Sequence, residues 1–579
     1  MADKSPDWVD ALGTEYDTRL ARGKNAQKRG TPGRALAKRT WTRVRPKLAK
    51  TKHRVVKHPT VRRVRGLPKS GRRAIVGRST NRKDSMTVRI QVVLREFDVP
   101  QSEHATFEGS IGELSELLSI QLANPAAFWL AHVAIAGTCP DDEQFLAFYQ
   151  DAQVNGMQSA MRIALVANAD RAEHWSLYAD MELVTEVAVD ATRTAHQDMH
   201  TGVQRVVRET VSRWAKNHPV QLLIWDESAS AFREPNRAEE ERVMRFDPNI
   251  GKVKPVADTT PDRILVPWKT TVVIPEAGLT ARRGAVHSCL GRHSGSETCF
   301  ILHDMLPYSL PETFIDSVRL RFGHLIHALR ATTRISTVSY AVADDTRDFC
   351  RLFGRLGLTE PEVRGQRLAE SPIAPLAGDS PKALQALQLR PGIPLVLSVG
   401  SIEPRKNQIM ALRAAERLWN EGHTFQLMFI GWNAWHTDSF EEKVAALRAA
   451  GKPVRIVRSA SDDMLSAAYK VARFSVYVSI AEGHGLPPAE SLAAGTPVVL
   501  SDIGSMRETG TAGGAEMVNP RDLNNVVDAM RLLLTDDAHL ATLTKQISNR
   551  PHRTWDDYAG ETWDWLINGV KSTESATQS

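Results

Sequence analysis

The stretch that decides the fold is Ser479-Ile480-Ala481-Glu482-Gly483-His484-Gly485-Leu486-Pro487-Pro488-Ala489-Glu490, in the last fifth of the 579-residue chain. Apolar runs at 474–480 and 497–500 flank it, and each has the length and β-branched content of a buried parallel strand. Two successive prolines fit only the first turn of a helix, where the missing N–H groups cost nothing. The stretch therefore predicts a strand, a glycine-bearing loop, a helix and a second strand.

Two glutamates stand on either side of the predicted helix start. Glu482 lies in the loop at the carboxyl end of the strand, and Glu490 follows in the helix. The backbone amides of Gly485 and Leu486 are free at the helix N-terminus, which binds anions. The two carboxylates therefore flank a phosphate-sized pocket, unless this is an ordinary α/β turn with incidental glutamates.

This frame resembles the Glu-x7-Glu signature of glycosyltransferase family 4, which comprises retaining, nucleotide-sugar-dependent enzymes of the GT-B fold. The usual signature reads Ser-x-x-Glu-Gly-Phe-Gly-Leu-Pro-x-x-Glu-Ala, and this chain departs from it at His484 and Ser491. The resemblance covers roughly residues 183–570 and is strongest over 395–510. It implies that the donor nucleotide sugar contacts Glu482, Gly483, His484, Gly485, Leu486 and Glu490.

A second constellation is Leu397-Ser398-Val399-Gly400-Ser401-Ile402-Glu403-Pro404-Arg405-Lys406-Asn407. A buried strand ends at Gly400, and Asn407 is placed to cap a helix over 408–420, so Arg405 and Lys406 project beside a helix N-terminus. Two fixed cations there suit a diphosphate and stabilise the charge that develops when it leaves. The loop is similar to the Pro-Arg-Lys-Asn loop of many family 4 enzymes, including a mannosyltransferase-like subset that uses GDP-mannose. The alternative is a surface Arg-Lys pair at a helix start.

Two weaker signals lie in the first half of the chain. Thr201-Gly202-Val203-Gln204-Arg205-Val206 opens a helix directly after a strand and a polar loop, and Gly202 permits close approach of a ligand to the backbone. It resembles the glycine loop of the family's first domain, although a helix start without a ligand role is the alternative. His303-Asp304 ends another predicted strand, and in the family the histidine touches the donor sugar. The resemblance thus implies a catalytic set of Glu482, Lys406, Arg405 and His303.

Alternating strands and helices in two blocks predict an α/β protein of the GT-B class, with two Rossmann-like domains facing across a cleft. The predicted strands lie at 183–189, 220–225, 270–274, 298–302, 334–338, 395–399, 425–430, 454–457, 474–480 and 497–500. Residues 181–375 form the first, acceptor domain. Residues 376–570 form the second, nucleotide-sugar-binding domain, whose last helix resembles the GT-B helix that crosses back, and 571–579 are a tail. Residues 86–180 form an accessory region of unassigned role, with a strand at 87–94 and a capping box at Ser110 and Glu113.

Charge divides the chain unevenly. Residues 22–83 hold 23 Lys and Arg and no Asp or Glu, whereas residues 84–579 hold 49 Lys and Arg against 62 Asp and Glu, a net charge of −13. Residues 1–85 are therefore expected to be a basic, disordered arm on an acidic body. Such an arm could contact anionic membrane peripherally through residues 22–83, or, as the less favoured option, bind nucleic acid. Alternatively it has no binding role and is a solvated tail, or an upstream extension with Met86 as an alternative start.

Other bulk features favour a cytoplasmic location, with the inner face of the plasma membrane as the site of any peripheral contact. The N-terminus lacks an apolar segment behind its charges, so no signal peptide is expected, and no apolar run reaches the ~18–20 residues of a membrane span. Four cysteines are scattered without metal-ligand or disulfide spacing. No Asp-x-Asp motif occurs, so no metal and no cofactor beyond the donor substrate are expected.

The resulting expectation is a metal-independent, retaining hexosyltransferase of polysaccharide biosynthesis, acting on a glycan or lipid-linked acceptor. GDP-mannose is the expected donor, with UDP-glucose or a dTDP-sugar as alternatives. The family implies front-face attack, in which the departing phosphate helps to deprotonate the acceptor. The alternatives are a GT-B phosphorylase, for which a cofactor lysine is not evident, and an inactive GT-B body whose basic arm binds nucleic acid or envelope polymer.

Overall fold

Two β-sheets flanked by helices form the body of the protein. The structure, a computed structural model, describes residues 7–28, 81–100, 105–198, 201–245, 261–370 and 381–569. None of the helices in these ranges combines the length and the apolar content required to cross a membrane. The arrangement of the two sheets confirms the predicted GT-B fold.

Six helices at the start of the described chain form a bundle. They are α1 (Asp7–Lys28), α2 (Arg82–Glu96), α3 (Phe107–Ile120), α4 (Pro125–Ala136), α5 (Asp142–Asn155) and α6 (Met157–Ala169). Their side chains belong to the same hydrophobic core as those of the first sheet, for example Phe232 and Trp268. Residues 81–169 therefore pack as an extension of the first domain and do not enclose a separate core.

The prediction of a disordered arm over residues 1–85 is wrong at both ends. Val9, Leu12 and Tyr16 share one face of α1 and are buried. These apolar residues hold α1 in place, although residues 1–85 as a whole are basic and poor in apolar residues. The Tyr16 hydroxyl donates to Asn168 Oδ1 at 2.8 Å, and Lys83 Nζ lies 2.8 Å from Asp17 Oδ2. Residues 29–80 lie outside the described residues.

Two local predictions in the bundle are also wrong. Residues 87–94 lie within α2 and not in a strand, because Met86, Ile90, Val93 and Leu94 are buried at helical spacing. Helix α3 begins at Phe107, where Thr106 Oγ1 accepts from the Gly109 amide, so Ser110 lies inside the helix and is not its cap.

The first sheet contains nine strands. These are β1 (Asp180–Val184), β2 (Val187–Asp190), β3 (Val220–Asp226), β4 (Ala231–Arg233), β5 (Arg263–Pro267), β6 (Thr271–Ile274), β7 (Glu297–Leu302), β8 (Arg334–Thr337) and β9 (Glu362–Gly365). Their order is β1-β5-β4-β3-β2-β6-β7-β8-β9, and only the pairs made by β4 are antiparallel. The single strand predicted over 183–189 is two strands, because the polar pair Thr185-Glu186 separates β1 at one edge from β2 in the middle.

The helices of the first domain cover the faces of this sheet and lead into the cleft. They are α7 (Thr192–His196), α8 (Gly202–Asn217), α9 (Arg237–Met244), α10 (Ala281–His293), α11 (Leu306–Ser309), α12 (Asp316–Leu329) and α13 (Tyr340–Arg355). Thr201 and Gln204 form a capping box at the start of α8, which fixes the loop that holds Gly202.

The second sheet is parallel throughout. Its strands are β10 (Leu395–Val399), β11 (Gln426–Ile430), β12 (Val454–Val457), β13 (Ala472–Tyr477), β14 (Val498–Ser501) and β15 (Ala515–Val518), in the order β12-β11-β10-β13-β14-β15. The chain runs outward from β10 in one direction and from β13 in the other. The carboxyl ends of β10 and β13 therefore form a topological switch point, where ligands bind in such sheets.

The helices of the second domain are α14 (Pro381–Leu387), α15 (Gln408–Asn420), α16 (Asp438–Ala449), α17 (Asp462–Val471), α18 (Leu486–Ala493), α19 (Gly504–Thr511), α20 (Leu523–Thr535) and α21 (Asp537–Ser548). The last helix, α22 (Trp555–Leu566), packs on the first domain. Trp214 Nε1 donates to the Ala559 carbonyl at 2.8 Å, and Trp565 Nε1 donates to the Ile335 carbonyl at 3.1 Å. The predicted linker at 371–381 falls almost wholly outside the described residues, as does the tail after 569.

Candidate active site

A cavity of about 540 Å³ lies between the two domains, at the carboxyl ends of both sheets. Every residue that the sequence assigned to a site lines it: Gly202, His303, Arg405, Lys406, Glu482, Gly483, His484, Gly485, Leu486 and Glu490. The loops that carry them come from β7, β10 and β13 and from the start of α8. The parallel topology thus brings to one place residues that are up to 288 positions apart in the chain.

The loop between β13 and α18 is shaped by glycines. Gly485 has a φ of 88°, a left-handed conformation that glycine adopts without strain, and it stands at the N-cap position of α18. A Cβ on Gly483 would lie 2.1 Å from the His303 carbonyl oxygen of the other domain. The absence of a side chain at Gly483 therefore allows the two domains to meet at the floor of the cleft.

Glu482 is held by both cations of the Pro404–Lys406 turn. Arg405 Nη1 lies 2.5 Å from Glu482 Oε2, and Lys406 Nζ lies 2.6 Å from Glu482 Oε1. Burial opposes ionisation of this carboxyl, but the attraction of the two cations outweighs it and lowers the pKa of Glu482 to about 2. The two basic side chains thus converge on one negatively charged group, the Glu482 carboxylate, at the topological switch point of the second sheet.

The turn that presents these cations is fixed by its backbone. The Ile480 amide donates to the Arg405 carbonyl at 2.7 Å, which ties the turn to the end of β13. Arg405 also pairs with buried Glu403 at 3.0 Å. Asn407 precedes α15 but does not cap it, contrary to the prediction: its φ is 54°, and its side-chain amide donates to the carbonyls of Val478 and Pro520.

Glu490 lies on α18 and faces the other domain. Its Oε1 is 2.5 Å from Arg205 Nη1, and its Oε2 accepts from the Tyr469 hydroxyl at 3.2 Å. Burial raises the pKa of Glu490, and Arg205 and Tyr469 oppose that rise. The two glutamates therefore have different surroundings. Two cations offset the cost of burying the Glu482 carboxylate, whereas a single cation, Arg205, pairs with Glu490.

Two histidines in the cleft are neutral at pH 7. Burial lowers the pKa of His303 to about 4, and its Nε2 lies 2.9 Å from the Pro275 carbonyl. A neutral imidazole that donates through Nε2 keeps Nδ1 as an acceptor. Burial also lowers the pKa of His484 to about 4, and its Nε2 is buried without a hydrogen-bond partner in the described parts of the chain.

The next residue after His303 adds a carboxyl to the same wall of the cavity. Asp304 lines the cleft, and burial raises its pKa, with Arg405 of the other domain opposing the rise. The predicted His-Asp pair therefore faces the cleft, as expected from its position at the end of β7.

Several further contacts join the domains around the cavity. Ser339 Oγ donates to the Gly483 carbonyl at 2.6 Å, and Glu508 accepts the amides of Tyr340 and Ala341 at the start of α13. Trp435 Nε1 of the second domain also donates to the Thr313 carbonyl of the first domain at 2.7 Å. The two domains are thus in direct contact.

Some cleft residues were not singled out from the sequence. Trp432 follows β11 and is 47% exposed, and Arg458 and Asp462 follow β12. They could have been found by the rule that located Arg405 and Glu482, since each comes directly after a parallel strand or at the start of the next helix. Arg205 stood inside the quoted stretch at 201–206, but nothing in the sequence pairs it with Glu490.

No cluster of three or more His, Cys, Asp or Glu side chains within the described ranges is arranged to hold a metal ion. The cations of the cleft are instead Arg205, Arg405, Lys406 and Arg458.

The fold and the cleft define a two-domain protein of the GT-B class. Residues 379–550 match the family model described as glycosyl transferases group 1, so this part of the chain is a domain of that family. The match covers the six strands of the second sheet and both the Arg405-Lys406 turn and the Glu482–Glu490 segment.

A relative extends the sequence likeness beyond that domain. The serotype-specific mannosyltransferase WbdA of Escherichia coli is 26% identical over 449 residues, which is 73% of this chain and 53% of the relative. The O-antigen chain mannosyltransferase RfbU of Salmonella typhimurium is 28% identical over 221 residues, 38% of this chain and 56% of the relative. The chain spans about half the length of the curated relatives it matches. Sucrose-phosphate synthase from Thermosynechococcus elongatus aligns with 67% of this chain and 100% of its own at 16% identity, with a TM-score of 0.46.

Proposed function

We propose that this protein is a metal-independent, retaining glycosyltransferase that moves mannose from GDP-mannose to a glycan or lipid-linked acceptor. The observation that carries the proposal is the placement of Arg405, Lys406, Glu482 and Glu490 around one cavity at the switch point of a group 1 glycosyl transferase domain. The choice of mannose is supported by the relatives named mannosyltransferases.

In the proposed reaction the donor diphosphate replaces the Glu482 carboxylate as the partner of Arg405 and Lys406. Both groups are anions, and the two cations already converge on one position at 2.5 and 2.6 Å. Glu482 is then released to accept hydrogen bonds from hydroxyls of the donor sugar. The cations stabilise the negative charge that grows on the leaving diphosphate as the sugar–phosphate bond breaks.

The remaining roles follow from position. Glu490 accepts hydrogen bonds from the ribose hydroxyls, and the free amides at the start of α18 face the phosphates. His303 is neutral and offers Nδ1 to a hydroxyl of the donor sugar. Gly202 lies against Leu486 across the cleft, with 3.2 Å between its would-be Cβ and Leu486 Cδ1, so a side chain there would press on the start of α18.

The chemical step is a front-face displacement. The acceptor hydroxyl attacks the anomeric carbon from the side of the departing nucleoside diphosphate, whose phosphate oxygen takes the hydroxyl proton. The new glycosidic bond forms as the sugar–phosphate bond breaks, and the anomeric configuration is retained. No protein nucleophile and no metal ion take part.

A thermal-shift panel of nucleoside diphosphates tests the proposal. GDP is expected to stabilise the full-length protein more than UDP, dTDP or ADP at equal concentration, because binding to the native state alone raises the unfolding temperature. A larger shift with UDP or dTDP would correct the donor, and no shift with any nucleotide would contradict the transferase and favour an inactive body.

A further inference from the structure

Arg205 is the cation that the first domain contributes to the cavity, whose other cations, Arg405, Lys406 and Arg458, belong to the second domain. Arg205, on α8, places Nη1 2.5 Å from Glu490 Oε1, across a separation of 285 residues in the chain. Both side chains are largely buried, with 11% and 8% of their surfaces exposed. An ion pair this short and this enclosed joins the two domains at the wall of the cavity.

Arg205 is held from a second direction by the crossing helix. Its guanidinium carbon lies 5.7 Å from the centre of the Trp555 ring, and Trp555 begins α22. The arginine is therefore fixed between an aromatic face and the carboxylate of Glu490. Its position depends on the contact between α22 and α8, both of which pack on the first sheet.

Glu490 retains acceptor capacity in this arrangement. A carboxylate offers about four acceptor sites, two on each oxygen. Arg205 uses one site on Oε1, and Tyr469 uses one on Oε2. One site remains on each oxygen, which matches the two neighbouring hydroxyls of a ribose.

The ionised state of Glu490 depends on few groups. Arg205 from α8 is the cation that faces it, Tyr469 from α17 donates to it, and the Tyr477 hydroxyl of β13 donates in turn to Tyr469 at 3.3 Å. Asp462, at the start of α17, acts in the opposite sense and disfavours the charge on Glu490. Burial and Asp462 raise the pKa of Glu490 and Arg205 opposes that rise, so loss of Arg205 would raise the pKa of this carboxyl further.

We propose that Arg205 is a positioning residue that holds the Glu490 carboxylate charged and aimed at the donor ribose, so that the donor is gripped in full only when the two domains are closed. The inference rests on the proposed role of Glu490 in holding the ribose. It gives the first domain an indirect part in holding the donor ribose, in addition to the proposed contact of His303 with the donor sugar.

The experiment compares GDP with 2′,3′-dideoxy-GDP by isothermal titration calorimetry on the full chain, at pH 6.5 and pH 8.5. Should the nucleotide panel select UDP, the uridine pair replaces the guanosine pair. The variants are Arg205→Ala and Arg205→Lys, with Lys216→Ala as the control. Lys216 lies on the same helix, is exposed and does not line the cavity.

Arg205→Ala is expected to weaken GDP binding about tenfold to a hundredfold at pH 6.5, the range for losing hydrogen bonds to a charged group. Part of the loss should be recovered at pH 8.5, because a carboxyl with a raised pKa ionises as the pH rises. Binding of the dideoxynucleotide should change less than about twofold, since it has no hydroxyls for Glu490. Arg205→Lys should retain most of the affinity, and Lys216→Ala all of it.

Three results would overturn the inference: unchanged or tighter GDP binding by Arg205→Ala, an equal loss for both nucleotides, or a loss that is the same at both pH values. The proposed function is tested separately, because it fails if the wild-type protein binds no nucleoside diphosphate. The pH comparison and the dideoxynucleotide distinguish positioning of Glu490 from general damage to the cleft.

Discussion

At the scale of single residues, the two glutamates of the Glu482–Glu490 segment are similar in sequence and different in chemistry. Glu482 lies between Arg405 and Lys406, which lower its pKa to about 2. Glu490 is as enclosed as Glu482 but faces one cation, and burial raises its pKa. The first is therefore suited to exchange with a diphosphate, and the second to accept neutral hydroxyls.

We predict that Lys406→Ala lowers both kcat and donor affinity. The lysine faces a phosphate whose negative charge grows in the transition state, and loss of one such group costs about 2.7–4 kcal/mol, or about 10²–10³ in rate. Glu482→Ala should behave similarly, because the sugar ring gains positive charge beside it. Steady-state kinetics with the donor as the varied substrate measure both effects, and exposed Lys545→Ala is the control.

Glu490→Ala is expected to act mainly on the donor KM. A contact with the ribose is much the same in the ground state and the transition state, so its loss weakens binding and leaves kcat nearly unchanged. The assignment of roles fails if Glu490→Ala lowers kcat a hundredfold at constant KM while Lys406→Ala has no effect.

Most of the loops that form the site could be predicted from the sequence, but the ion pair between the two domains could not. Loops that follow parallel strands converge at one edge of a sheet, so Arg405, Lys406 and Glu482 could be placed together from local patterns alone. The pair Arg205–Glu490 could not, because it depends on how two separately folded sheets face each other.

At the scale of elements, the crossing helix α22 joins the end of the chain to the first domain. Trp563 of α22 is 7% exposed, meets Trp214 of α8 edge-on at 5.5 Å between ring centres, and stacks on His218 at 3.8 Å. The helix therefore stabilises the helix that carries Gly202 and Arg205.

We predict that Trp563→Ala destabilises the first domain by about 3–5 kcal/mol, the usual cost of removing a buried tryptophan. Urea unfolding followed by circular dichroism measures the change. Ile120→Ala, at a residue that is 75% exposed on α3, should change stability by less than about 0.5 kcal/mol. Equal stability of the Trp563 variant and the wild type would show that α22 does not support this domain.

The sequence predicts strands that carry an apolar run better than strands that do not. The predicted bounds of β10 and β11 agree with the structure within one residue, because most of their positions are apolar and all are buried. The edge strands β9 and β15 each bury a single residue, and β4 has only three residues, so none of them produces a clear periodic pattern. Residues 87–94 of α2 predict a strand because, over so short a window, their apolar residues fit the two-residue period of a strand as well as the period of a helix.

At the scale of the whole molecule, a basic segment is inserted into a body with a net charge of −13 over residues 84–579. The two helices that flank residues 29–80 lie close together, since Lys83 and Asp17 form an ion pair at 2.8 Å. A deletion that tests the segment should therefore spare α1 and α2, in contrast to removal of all residues up to 85.

We predict that deleting residues 31–78 leaves nucleotide binding unchanged and weakens binding to vesicles of phosphatidylglycerol. Each basic residue near an anionic surface contributes at most ~1 kcal/mol, and salt screens the attraction, so the difference should shrink as ionic strength rises. Vesicle co-sedimentation at low and high salt measures it. Identical binding with and without the segment would rule out a membrane role for it.

The measurement that tests the central account most directly is release of GDP from GDP-mannose by the full-length protein in the presence of EDTA. We predict turnover that persists in the chelator and falls about 10²–10³-fold in Lys406→Ala but not in Lys545→Ala. Turnover that stops with EDTA and returns with magnesium or manganese would contradict the account, as would equal rates for the wild type and Lys406→Ala.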